Sequence, residues 1–325
     1  MAVAIAGGTG NLGRYISGSL LVEPFNKNFS QIKILTRNPS SDLAKQFSAA
    51  GASVIKVEGP SDWENALKDV VLLIDALGYG PGTSQVKNEL LESALKAPNL
   101  KYYIPADFGL DQRQCKVKHP LFLDKMEREE RAKASGKLKV VSIHPGLFLE
   151  MGFLTVSYSP EGGKYEVAGD GNTPMSLTAI ADVGLSAASI ASHLIQGKGD
   201  QIPEHIRIGG ISTTPLAAVE FFNRVAPDQN SLIKIEKHPL AEFKAQYIKE
   251  KDTGFKGFLD LLLILGAEGA FDHSKINDNT LVNPNLWRFT TFEEYAHDVN
   301  GRPASDIEPK NLESILYHIK AKLAK

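Results

Sequence analysis

Gly7-Gly8-Thr9-Gly10-Asn11-Leu12-Gly13 follows the apolar run Ala2-Val3-Ala4-Ile5-Ala6 and opens a helical pattern at Leu12. Glycines at 7, 10 and 13 leave the backbone bare where a strand turns into a helix, and Gly8, Gly10 and Gly13 also meet the G-x-G-x-x-G spacing. Bare amides at a helix N-terminus form an anion site. The spacing therefore predicts a dinucleotide whose pyrophosphate rests on Gly7, Thr9, Gly10, Asn11, Leu12 and Gly13. A tight turn without ligand uses glycines too, but the flanking strand and helix favour the nucleotide.

Outward from this loop, short β-branched runs alternate with helical patterns. Strands are predicted at residues 2–6, 31–36, 53–57, 70–76, 101–105 and 138–144, with helices between them such as 41–50 and 85–96. That alternation is the sequence form of an α/β protein, here a Rossmann-type doubly wound parallel sheet over residues 1–150. Beyond His144 the pattern loosens into the turn clusters 159–163 and 169–172 and a helix over 179–194. Short strands near Ile206 and Leu232 and helices near Pro215, Leu240, Phe255, Phe292 and Pro309 predict a smaller α+β C-terminal substrate lobe over 151–325. The chain near 175–210 is expected to be free to pack back on the sheet. There is no internal repeat.

Composition narrows the function classes. The 325 residues carry 36 basic and 38 acidic side chains, net −2, with no block of one sign, so no nucleic-acid footprint is expected. The single cysteine, Cys115, excludes an internal disulfide and suits a reducing compartment. With a strand starting at Ala2, no leader is expected and the location predicted is cytoplasmic. The most lipid-like run, 258–265, is short and contains Asp260, so no membrane segment is expected. The eight histidines show no metal-binding helical spacing, no thiolate cluster exists and no Gly-x-Ser-x-Gly elbow is present, which argues against a metal site or a hydrolase. A monomer or homodimer is expected.

The residue closing the second strand of such a unit faces the adenosine ribose. Here Thr36-Arg37-Asn38 offers no carboxylate, and the planar Arg37 guanidinium suits a 2′-phosphate. The cofactor predicted is NADP(H), with Lys45 on the next helix as a second cation; the plainer alternative for Arg37 is a solvated loop arginine.

Ligands in open α/β sheets bind outside the carboxyl ends of the strands. The segments Ala76-Leu77-Gly78, Pro105-Ala106-Asp107-Phe108-Gly109 and His144-Pro145-Gly146-Leu147-Phe148 are thus expected to border the nicotinamide. Phe108, His144, Phe148, Met151, Phe153, Leu154 and Tyr158 are candidate substrate-pocket residues, and an apolar aromatic wall suits a small aromatic substrate. Phe108 and Phe148 serve equally well as core residues, and His144, ending a strand, reads as structural or as a second proton carrier. The pair Tyr247/Lys251 has a Tyr-x-x-x-Lys spacing but lies far from these strands.

Ile104-Pro105-Ala106-Asp107-Phe108-Gly109 followed by Lys125 at the head of a charged helix resembles the isoflavone reductase-like group of NmrA-like, atypical short-chain dehydrogenases. That group includes phenylcoumaran benzylic ether and pinoresinol-lariciresinol reductases. Gly169-Asp170-Gly171-Asn172 and Ile180-Ala181-Asp182-Val183-Gly184 extend the similarity over roughly the first 200 residues. The resemblance implies NADPH bound on the sheet, Lys125 as general acid or base beside the nicotinamide, and reduction of aromatic compounds. Two positions depart from the group: Ala106 and Asp107 replace its usual serine and glutamate, and His144-Pro145-Gly146 replaces an asparagine-containing stretch.

Burial beside a nicotinamide lowers a lysine pKa toward neutrality, which is the expectation for Lys125. Lys125 and Glu129 are also spaced i,i+4, as in an ordinary surface pair. The function predicted is an NADPH-dependent reductase acting on an activated C=C, C=N, carbonyl or benzylic ether of a small aromatic or polyketide-like substrate. The alternative is an NmrA-like NADP(H)-sensing regulator without turnover, for which 258–265 is a candidate partner face, a buried helix or a lid.

Overall fold

The computed structural model describes residues 1–80, 82–117, 119–151, 158–159, 163–250, 254–303 and 311–323. Its first half is built from β1 (Ala2–Ala6), α1 (Asn11–Leu20), β2 (Gln31–Thr36), α2 (Asp42–Ala49), β3 (Ser53–Lys56), α3 (Pro60–Leu67), β4 (Val70–Asp75), α4 (Thr83–Lys96), β5 (Tyr102–Ile104), α5 (Pro120–Ala134), β6 (Lys139–Val140) and β7 (Ser142–His144). The sheet runs β3-β2-β1-β4-β5-β6 with every neighbour parallel. This is the Rossmann-type order expected, and it reverses between β1 and β4. The two apolar runs predicted at 2–6 and 31–36 are strands over those bounds. The run 138–144 splits at Val141: β6 pairs with β5, and β7 pairs in parallel with β12 (His205–Arg207).

The second half comprises β8 (Leu147–Phe148), β9 (Tyr158–Ser159), β10 (Lys164–Ala168), β11 (Met175–Thr178), α6 (Ile180–Ile195), β12, β13 (Ile211–Thr213), α7 (Pro215–Val225), β14 (Lys234–His238), α8 (Leu240–Glu250), α9 (Phe255–Ala267), α10 (Asn279–Val282), α11 (Phe292–Asp298) and α12 (Leu312–Leu323). Two small sheets, β14-β10-β9 and β13-β11-β8, enclose a core of Tyr165, Val167, Leu177, Phe222, Leu261 and Tyr295. Within 258–265, the residues 261–265 are buried in this lobe, so the lipid-like run is core. No helix among the described residues is long and apolar enough to cross a membrane.

Several late elements return to the nucleotide sheet. Helix α6 is buried along nearly its whole length, and its Ile180, Val183, Ala187 and Ile190 join Ile5, Ile16 and Ile34 in one core. A Cβ on Gly184 would sit 2.8 Å from the Tyr15 carbonyl, so only glycine admits α1 at this distance. Ile315 and Ile319 of α12 close the other side of α1 against Gly18. The strand near Ile206, within the 175–210 stretch, joins this core, and the final helix, placed by its sequence in the smaller lobe, joins it too.

Candidate nucleotide crevice and buried lysines

The glycine loop is built by exclusion. A Cβ on Gly13 would lie 2.0 Å from the Gly7 carbonyl oxygen. Gly7 has φ +74° and abuts the backbone of Ala76, where a Cβ would approach the carbonyl oxygen to 2.9 Å. Gly10 caps α1 with no side-chain acceptor, and no acid stands in the first turn, so the positive end of the helix is left open to an anion. This loop and residues 76–78 face each other where the strand order reverses, the position at which such folds bind ligand. The Thr9 and Thr36 hydroxyls pair at 3.1 Å, Asn11 is exposed and half-buried Leu12 packs against the core. Arg37 stands exposed beyond β2. Exposed Lys45 lies 3.8 Å from Asp42 of its own helix. The bare loop, the open helix end and Arg37 fit a dinucleotide phosphate.

At the carboxyl ends of β4 and β5 the chain buries charge. Helix α5 turns Phe122, Lys125, Arg128, Glu129 and Ala132 inward, so its buried stripe is mostly ionic. Phe122 anchors it in the lobe core and Ala132 in the core under the sheet. Lys125 is 8% exposed. Burial acts to lower its pKa, but Tyr79 and Asp107 outweigh that and hold it above the ordinary lysine value. The expectation of a lowered pKa is thus reversed, because the ammonium has partners where it was expected to be merely desolvated. Nor does Lys125 pair with Glu129, which instead binds Lys133 at 2.6 Å and His205 at 2.9 Å.

Sequence reading missed Lys87, a second buried lysine at 2% exposure. It lies on α4 in the stripe 87, 90, 91, 94, whose other members are Leu90, Leu91 and Ala94. A lysine on an apolar stripe was the available signal. Burial brings it down to about 8, with Asp75 opposing. The same burial raises the Asp75 and Asp107 carboxyls, against the pull of Lys87 and Lys125 respectively. Asp75 Oδ1 accepts from the Leu77 amide at 2.9 Å, and Asp107 accepts from the Ser142 hydroxyl at 3.0 Å. Arg128 is matched by Asp124 at 2.6 Å. Three buried cations are thus balanced by carboxylates at the head of the sheet.

The remaining candidates divide. Phe108 and Phe148 are half-buried against the main core, and Pro145 accepts from the Thr178 hydroxyl at 2.7 Å. Gly146 has φ +74° and passes so close to Ser176 that a Cβ would lie 2.5 Å from its carbonyl oxygen. Met151 is 37% exposed. Tyr158 lies in β9, while Phe153 and Leu154 fall outside the described residues, as does Lys251 of the Tyr247/Lys251 spacing. His144 is fully buried, its Nδ1 3.2 Å from the Leu110 carbonyl and its Nε2 3.2 Å from His205 Nδ1. Burial lowers its pKa to about 3, so it stays neutral.

Strand pairing brings His144, His205 and Asp111 within 4.8 Å, a proximity with no helical-spacing signal. The Asp111 carboxylate is held by Arg113 and Arg207, each at 2.7 Å, and the two imidazoles bond to each other. These contacts describe a hydrogen-bond chain from Leu110 to Glu129. Burial pushes the Cys115 thiol up to about 12.

Parallel strand order with its reversal between β1 and β4, and a glycine loop at that switch point, define the Rossmann class of α/β proteins. Within it, the chain belongs to the NmrA-like family, whose sequence model matches residues 1–296. An NmrA-like family domain-containing protein of Dictyostelium discoideum is 25% identical over 322 residues, 92% of this chain and 97% of that one. Two solved structures share the fold. AtPrR2 with NADP+ and (+)-pinoresinol superposes with a TM-score of 0.72 at 20% identity, covering 90% of this chain and 97% of its own. An isoflavone reductase gives a TM-score of 0.70 at 18% identity over 92% and 99%.

Proposed function

We propose that the protein is an NADPH-dependent reductase of a small aromatic or polyketide-like molecule, acting at an activated C=C, C=N, carbonyl or benzylic ether. The observation that carries this reading is the buried Lys125, whose ammonium lies 5.2 Å from the Tyr79 ring, three residues on from Ala76, against which the glycine loop packs. The solved neighbour holding NADP+ and pinoresinol supports both the cofactor and the aromatic substrate class.

When bound, NADPH supplies a hydride at nicotinamide C4. The amides of residues 7–13 would hold its pyrophosphate on α1, and Arg37, with Lys45 as a second cation, would bind its 2′-phosphate. Residues 76–78, 105–108 and 145–148 would border the nicotinamide, and Phe108, Phe148 and Met151 would contribute to the substrate pocket. Held above the ordinary lysine value, Lys125 stays protonated and is the source of the proton in the reductive direction. Neutral His144 positions this wall through Leu110 and His205.

The test is deuterium transfer from C4-deuterated NADPH into aromatic enones, imines, quinones and benzylic ethers, with wild type and Lys125→Ala. Label in a product, reduced about 100-fold or more in the variant while NADPH affinity holds within about threefold, is expected. Equal transfer by both would remove Lys125 from the chemistry. Tight NADPH binding with no transfer to any acceptor would favour the NADP(H)-sensing alternative.

A further inference from the structure

Tyr79 lies just beyond β4, on a segment punctuated by Gly78, Gly80 and Gly82, and is 55% exposed. Its ring collects two ammonium groups from two different helices: Lys87 Nζ is 4.4 Å from the ring centroid and Lys125 Nζ is 5.2 Å away. Burying two lysines side by side is costly, and apolar residues at either position would fill the same space without that cost. Asp75 acts electrostatically on Lys87 and Asp107 on Lys125, which offsets part of that cost.

We propose that Tyr79 is a second catalytic residue, the group that hands the proton to the substrate, with Lys125 recharging its oxygen and Lys87 positioning its ring. This rests on the reductase reading and deepens it. With NADPH supplying the hydride and its electron pair to the electrophilic carbon, the bond pair would shift onto the substrate oxygen or nitrogen, which would take the proton from Tyr79 Oη. The phenolic oxygen takes a proton from Lys125 Nζ, and the lysine regains one from water after product leaves. Each bond reduced consumes one NADPH and one solvent proton. The two ammonium groups stabilise the negative charge that gathers on the phenol oxygen during transfer, in a partly dry site where such charges act strongly.

Tyr79→Phe keeps the ring and both cation contacts and removes only the oxygen. We expect single-turnover deuteride transfer to fall roughly 100-fold, with NADPH affinity by calorimetry within about threefold of wild type. Combining it with Lys125→Met is expected to cost no more than the worse single variant, because the two act as one unit. Lys87→Met, a positioning change, is expected to lower kcat about tenfold with KM little altered, and Lys87→Arg to restore most of it. Turnover by Tyr79→Phe within about fivefold of wild type, with Lys125→Ala still inactive, would overturn the role of Tyr79 and leave the reductase standing. Tighter NADPH binding by Tyr79→Ala at undiminished turnover would also overturn it, marking the ring as a plug. A wild-type enzyme that labels no acceptor would sink the reductase reading and this role together.

Discussion

Arg37 makes no hydrogen bond or ion pair among the described residues, which leaves its guanidinium available at the end of β2. A charge-assisted bond to phosphate is worth about 1.5–3 kcal/mol, so Arg37→Ser is expected to weaken NADPH binding roughly 10–100-fold while NADH binding hardly changes. Calorimetry with both nucleotides checks this; equal losses for the two would show that Arg37 does not read the 2′-phosphate. Arg37 and the glycines were legible because their roles depend on local spacing. Lys125 was legible through a resemblance, whereas Asp75, Tyr79 and Lys87 were not found at all. Their partners lie on other elements, and the trace they left, a lysine in the apolar stripe of α4, reads in isolation as a flaw in the pattern.

Between elements, the contact that fixes the crevice floor is α1 on α6. Gly184 meets the backbone of Tyr15, which cannot yield as a flexible side chain would. Gly184→Leu should therefore push the helices apart and destabilise the fold by roughly 2–4 kcal/mol, read as a lower urea midpoint, with NADPH binding weakened because α1 carries the loop. An unchanged midpoint would mean that the helices separate freely. The helix over 179–194 was visible from its apolar density, and α6 spans Ile180–Ile195. Its partner was not visible, since a helix buried on all sides gives no preferred face to read.

At the scale of the whole molecule, Glu150 and Glu129 make stability depend on pH in opposite directions. Glu150 accepts from the Ile180 amide at 3.0 Å and caps α6, and burial raises its pKa to about 7. Its folded form binds a proton more tightly than the unfolded chain, so this contribution is complete below its ordinary value and is lost as pH rises toward 7. Glu150→Gln is therefore expected to lose less stability than wild type between about pH 5 and 7, measured by urea unfolding; parallel profiles would refute the assignment. Against burial, His205 and Lys133 hold Glu129 down at about 2, so its contribution is lost only on acidification below the ordinary carboxyl range. By itself the sequence determined the sheet strands, the glycine loop and the available cation at Arg37, because each follows from a period or spacing within one short segment. Tertiary structure alone decided that 139–144 divides between two partner strands, that α12 closes on α1, and that two lysines meet at Tyr79. Those outcomes depend on which buried surfaces and charges find one another across distant segments, and no local pattern encodes that.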